Sequence, residues 1–125
     1  MNNSLQMDPL ATLLLLVFFD FVWITMVMLP LYNPMIQNIQ GTPLNARIDN
    51  AIIAYATLFL FAYILIPKMN NYTDTFLLGF LAYGVFETTN LALFDKWNPK
   101  VVIPDSIWGG VLMCLLRYFC LNPEY

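Results

Sequence analysis

The chain has 125 residues, of which 60% are hydrophobic and 10% charged, against about 45–50% and about 25% in an ordinary soluble domain. That composition excludes a soluble globule. Five cations scattered among eight acids, for a net charge of −3, leave no basic patch for a phosphate backbone, which excludes nucleic acid as a partner.

A bilayer-spanning helix takes about 20 residues, so four spans use about 80 and leave only short connections. The expectation is a single membrane domain over residues 1–125, an all-α integral membrane bundle of four antiparallel transmembrane helices, multi-pass in a membrane the sequence does not name. Histidine is absent, which removes the usual imidazole base, the commonest zinc ligand and any Ser-His or Cys-His pair. No haem, flavin, nucleotide or zinc motif is present, and the chain reads as a non-enzyme. Cys114 and Cys120 lie on different sides of one apolar helix and cannot bridge each other.

In chain order, the first span is expected over about 9–30. Asp8 and Pro9 form an N-cap and first helical position, and Pro30 ends the apolar run. The run is too long for a signal peptide core and lacks a preceding cation, so it reads as a retained span. A polar connection from Tyr32 to about Asn45 carries Pro34, Gly41 and Pro43 as breakers. The second span, about 46–67, opens on Arg47, Asp49 and Asn50 and ends at Pro67. A tight link leads to the third span, about 75–94, and a loop with Trp97 and Pro99 leads to the fourth, about 103–121. Short links set each helix antiparallel to the last. The side holding the Arg47, Lys96 and Lys100 loops carries slightly more positive charge than the side of the termini, so the positive-inside rule tilts weakly towards a cytoplasmic loop side. Asn71-Tyr72-Thr73 matches the glycosylation triplet on the other side.

Acids inside the spans are the informative residues, because an ionised carboxylate at a helix centre costs about 2.5–3.5 kcal/mol on insertion scales. Asp20 lies eleven residues after Pro9, about 16 Å deep, and Glu87 twelve after Thr75, about 18 Å from the same side. The two are expected at matching depth. Tyr83, Glu87 and Asn90 share one helix face, with Thr88 and Thr89 beside it. Asp105 opens the fourth span, followed by Trp108 and by Gly109-Gly110, which permit a close helix contact; Trp23 follows Asp20 at the same offset. The expected pocket is lined by spans one, three and four, closed towards the termini and open towards the loop side, where Arg47, with Asp49 and Asn50, screens it.

Each residue also has a plainer role. Asp105 satisfies free N–H groups as a helix-opening carboxylate, Glu87 and Asn90 join helices by hydrogen bonds, and Trp23, Trp97 and Trp108 serve as interfacial aromatics. If Asp20 and Glu87 face each other, at least one is neutral at pH 7 and the pair can carry a proton, or with the Asn90 and Thr89 oxygens they hold a hard cation rather than zinc.

The ordered segments Asp20-Phe21-Val22-Trp23, Glu87-Thr88-Thr89-Asn90-Leu91-Ala92 with Trp97, and Asp105-Ser106-Ile107-Trp108-Gly109 resemble the small four-helix membrane proteins grouped as domain of unknown function 2177, across roughly residues 10–120. Asp20, Trp23, Thr89, Asn90, Trp97, Asp105, Trp108 and Gly109 match that pattern, and Glu87 stands where Asp is more usual. The resemblance implies four spans and points weakly towards lipid chemistry. Together the readings give a multi-pass membrane protein with an acidic intramembrane pocket for a cation, a proton or a polar lipid headgroup. The alternatives are a structural subunit with protein partners in a larger membrane complex, and a lipid-modifying enzyme or its accessory.

Overall fold

The computed structural model describes residues 5–45 and 47–123. Four of its helical stretches are long and apolar enough to cross a membrane: Pro9–Gln40, Ile48–Lys68, Tyr72–Leu93 and Pro99–Cys120. Their outer faces are apolar, with Phe18 and Phe21 each 60% exposed, while Thr12, Asp20, Thr75, Glu87, Asp105 and Ser106 are buried. This inside-out distribution is stable where the surrounding solvent is hydrocarbon.

A short antiparallel ribbon joins the two described ends. Strand β1, Leu5–Met7, pairs with β2, Leu121–Pro123, placing Met7 opposite Leu121. The next residue, Asp8, donates its backbone N–H to the Cys120 carbonyl at 2.9 Å, and its carboxylate accepts from the Ala11 N–H at 3.0 Å. One side chain thus caps helix α1, Pro9–Trp23, while its backbone ties that helix to the end of helix α5, Val102–Cys120.

The first helix does not stop at Pro30, and the stretch from Tyr32 to Gln40 is not loop. A π-helical turn, Ile24–Met28, joins α1 to helix α2, Leu29–Gln40. In that turn the Leu29 N–H bonds to the Ile24 carbonyl, five residues back. A proline ring ordinarily clashes with the carbonyl four residues back, and the wider turn relieves that clash at Pro30. The helix ends at Gly41, whose φ of 76° is left-handed. Met28 and Met35 pack with Trp97 and Val101, and Lys96 Nζ donates to the Asn38 carbonyl at 3.0 Å. This extension therefore covers the loop between the last two spans.

Helix α3, Ile48–Leu65, runs into a 3-10 turn, Ile66–Lys68. Helix α4, Tyr72–Leu93, begins three residues before the expected Thr75, because Asn71 caps it by accepting the Asp74 N–H at 2.8 Å. The Asn71-Tyr72-Thr73 triplet is thus a helix start. A 3-10 turn, Pro99–Val101, leads into α5.

The closest helix pair is α4 with α5. An added Cβ on Gly79 would run into the Gly109 carbonyl, and one on Gly110 would meet the Phe76 ring. Toward the ribbon, Arg117 donates to the Thr75 hydroxyl and the Met69 carbonyl, each at 3.1 Å; toward the other end, Ser106 lies beside Gly84. The contacts run in opposite chain order, so the two helices are antiparallel. Helix α3 lies against α1, and its buried Ala62, with Ile66 of the following 3-10 turn, joins Leu16, Leu112, Met113 and Leu116 in the core near the ribbon.

Candidate functional site

The α1–α5 pair carries a reciprocal arrangement. Trp108 on α5 donates its indole N–H to Asp20 on α1 at 3.1 Å, and Trp23 on α1 donates to Asp105 on α5 at 3.2 Å. Between them the two indoles stack, 5.0 Å apart and 7° from parallel. Each Asp-x-x-Trp segment thus serves the other. The pairing keeps the register of the ribbon: the interval from Met7 to Asp20 along one strand and helix equals that from Trp108 to Leu121 along the other. A ribbon at one end of the pair therefore sets which carboxylate meets which indole near mid-membrane.

Asp20 also accepts from the Tyr55 hydroxyl of α3 at 2.9 Å and the Tyr83 hydroxyl of α4 at 3.2 Å. With Trp108, three donors on three different helices converge on one carboxylate. Glu87, fully buried, accepts from Trp97 at 3.0 Å and from the Tyr32 hydroxyl of α2. The expected match in depth between Asp20 and Glu87 does not hold. Because α4 starts at Tyr72, Glu87 lies fifteen residues along it, about 22 Å against about 16 Å for Asp20. Tyr83, one turn earlier, occupies the level of Asp20 instead.

Asp105 stands between the two. It lies in the first turn of α5, but it is more than a helix-opening carboxylate. Besides accepting from Trp23, it lies close to Glu87 and to the Tyr32 hydroxyl. All the donors to the three acids are phenols and indoles. Among the described residues, no buried side-chain polar atom lacks a partner, and no three acidic or sulfur side chains converge to hold a metal ion.

Asp20 and Asp105 lie at the edge of a cavity of about 620 Å³ that is open rather than enclosed. The expected spans one, three and four all line it, span one with Asp20, Trp23, Ile24, Met28 and Tyr32, and the second span joins them. The second span contributes Ala54, Thr57, Leu58 and Phe61, facing Ala82 and Phe86 of α4, while α5 supplies only Asp105. The loop side is covered, because Tyr32 and Trp97 sit over Glu87. Arg47, Asp49 and Asn50 are exposed at the start of α3 and do not line the cavity, so no screen forms there. Thr89 is exposed and Asn90 half-buried, and among the described hydrogen bonds neither side chain meets a carboxylate. Trp23, Tyr83, Glu87, Trp97, Asp105 and Trp108 gather around Asp20 as one connected group.

Tyr32 and Tyr55 were not among the sequence candidates. Tyr55 faces Asp20 from the second span, where a single phenol in an apolar run does not stand out. Tyr32 was assigned to a loop by the Pro30 and Pro34 breakers. Twelve residues of regular helix would put Tyr32 about 120° from the face of Asp20, and only the wider π turn brings it back towards that face, so the spacing carried no signal.

A family model described as "Predicted membrane protein (DUF2177)" matches residues 7–120. The chain belongs to this family. It is an integral, multi-pass membrane protein, and the matched region includes every residue of the acidic cluster. No curated protein and no solved structure matches the chain.

Proposed function

We propose that this protein binds the polar end of a membrane lipid inside the bilayer, in the cleft between α3 and α4. The observation that carries this reading is the composition of the cavity. Its volume of about 620 Å³ falls within the roughly 300–1,000 Å³ usual for ligand pockets. Its walls, with Leu58, Phe61 and Phe86, are apolar, while Asp20, Tyr83 and Asp105 bring polar groups to one edge. Such a surface suits an amphipathic molecule whose chain lies along the walls and whose polar end meets the acids. A hydrated ion would leave the apolar walls unused. Buried carboxylates are costly in lipid unless paired, and a ligand that donates hydrogen bonds to them offsets part of that cost.

The test is lipid retention. Full-length protein purified in mild detergent and weighed by native mass spectrometry is expected to carry about one lipid per chain, in keeping with one cavity. Thr57→Trp, which fills the cavity without touching a carboxylate, is expected to lose it. A folded wild-type chain that carries no lipid contradicts the proposal. A stoichiometric protein partner in its place points to a structural subunit.

A further inference from the structure

Resting on that reading, we infer that the lipid bound in the α3–α4 cleft carries an N–H-bearing ammonium group, which docks on Asp105 beside Asp20. Charge is the first ground. Asp20 and Asp105 border the cavity, with Glu87 close behind Asp105, yet among the described contacts no Lys or Arg side chain bonds to any of the three acids. Lys96 is engaged with the Asn38 carbonyl, and Arg117 is bound near the ribbon end. Lys68 and Lys100 are exposed, as is Arg47. A bound cationic group complements these acids, whereas an anionic headgroup does not.

The second ground is acceptor geometry. Asp20 is filled by three donors. Asp105 is only 6% exposed and borders the cavity, and it receives one indole N–H, on a single oxygen. Among the described hydrogen bonds it therefore has fewer donors than Asp20. A quaternary ammonium has no N–H to offer it, whereas a primary ammonium has three.

Aromatic surroundings supply the third ground. Trp23, Tyr32, Phe61, Tyr83 and Phe86 surround the space, and ring faces attract a desolvated cation. Two kinds of lipid carry this chemistry, phosphoethanolamine headgroups and long-chain amines.

The experiment incorporates full-length protein into nanodiscs containing equal parts phosphatidylethanolamine, phosphatidylcholine, phosphatidylglycerol and diacylglycerol, and reads retained lipid by native mass spectrometry, with and without dodecylamine. Phosphatidylethanolamine is expected to be retained at least about tenfold over the other three, a preference of about 1.4 kcal/mol. Asp105→Asn, close in shape but without the charge, is expected to abolish that preference, and Thr57→Trp to remove all retention. Dodecylamine that displaces the lipid, or binds where phosphatidylethanolamine does not, identifies the ammonium alone as the recognised group. Failure of dodecylamine to compete assigns recognition to the whole phosphoethanolamine head. Retention of diacylglycerol, phosphatidylcholine or phosphatidylglycerol instead overturns the ammonium assignment and leaves the intramembrane lipid site standing. No retained lipid in a folded protein overturns both.

Discussion

The two ends of the helix bundle are built on different principles. Next to the ribbon, Leu16, Ala62, Ile66, Leu112, Leu116 and Cys120 are fully buried, and α4 and α5 touch backbone to backbone at Gly79 and Gly109. Beyond Trp108 the helices are held by phenol and indole hydrogen bonds to three carboxylates, beside a cavity of about 620 Å³. In lipid, apolar side chains gain little by leaving the solvent, so close packing and hydrogen bonds carry helix association. Close packing leaves no room, whereas directional hydrogen bonds can fix helices at a distance. The ribbon end is therefore a clamp, and the acidic end is a frame around a space.

Substitutions at the two ends should separate these roles. The largest expected effect is at the clamp: Gly79→Leu drives a side chain into the Gly109 backbone and should destabilise the fold by about 3 kcal/mol, read by denaturant unfolding in detergent. An unchanged midpoint would mean that the backbone contact is not needed. Next, Leu116→Ala should cost about 2 kcal/mol, because the vacated space remains unfilled even where the transfer term is small.

Trp23→Phe keeps a ring to stack on Trp108 but removes the donor to Asp105. Its expected cost is about 1 kcal/mol, together with weaker lipid retention. A loss of stability like that of Leu116→Ala, with retention intact, would make the indole pair part of the clamp. The smallest effect is expected from Leu58→Ala at the cavity wall, under about 0.5 kcal/mol because the side chain already borders open space. Equal costs for the two Leu→Ala substitutions would erase the contrast between the ends.

Much of this arrangement was legible in the sequence. Four apolar runs announced four spans, and carboxylates placed where they are expensive marked Asp20, Glu87 and Asp105. The equal spacing of Asp20 to Trp23 and Asp105 to Trp108 was visible, but its meaning was not. Only the antiparallel register turns two separate Asp-x-x-Trp segments into a reciprocal pair. Depth failed by one turn at Glu87, because counting began at Thr75 rather than at the Asn71 cap. Pro30 misled because a π turn absorbs it, Pro34 because α2 tolerates a proline in its interior, and Tyr32 was lost with the helix that carries both. The second span was overlooked as a wall because an apolar cavity lining and a lipid-facing surface have the same composition.

The central claim is that the space between α3 and α4 holds a lipid's polar end against Asp105 and Asp20. An electron cryomicroscopy map of the protein in lipid nanodiscs, with a rigid binder added for size, addresses it most directly. The expected result is elongated density between Phe61 and Phe86, ending within about 3 Å of the Asp105 carboxylate, the distance of a hydrogen bond. Helices α3 and α4 closed on each other, with their side chains interleaved and no density between them, would contradict it.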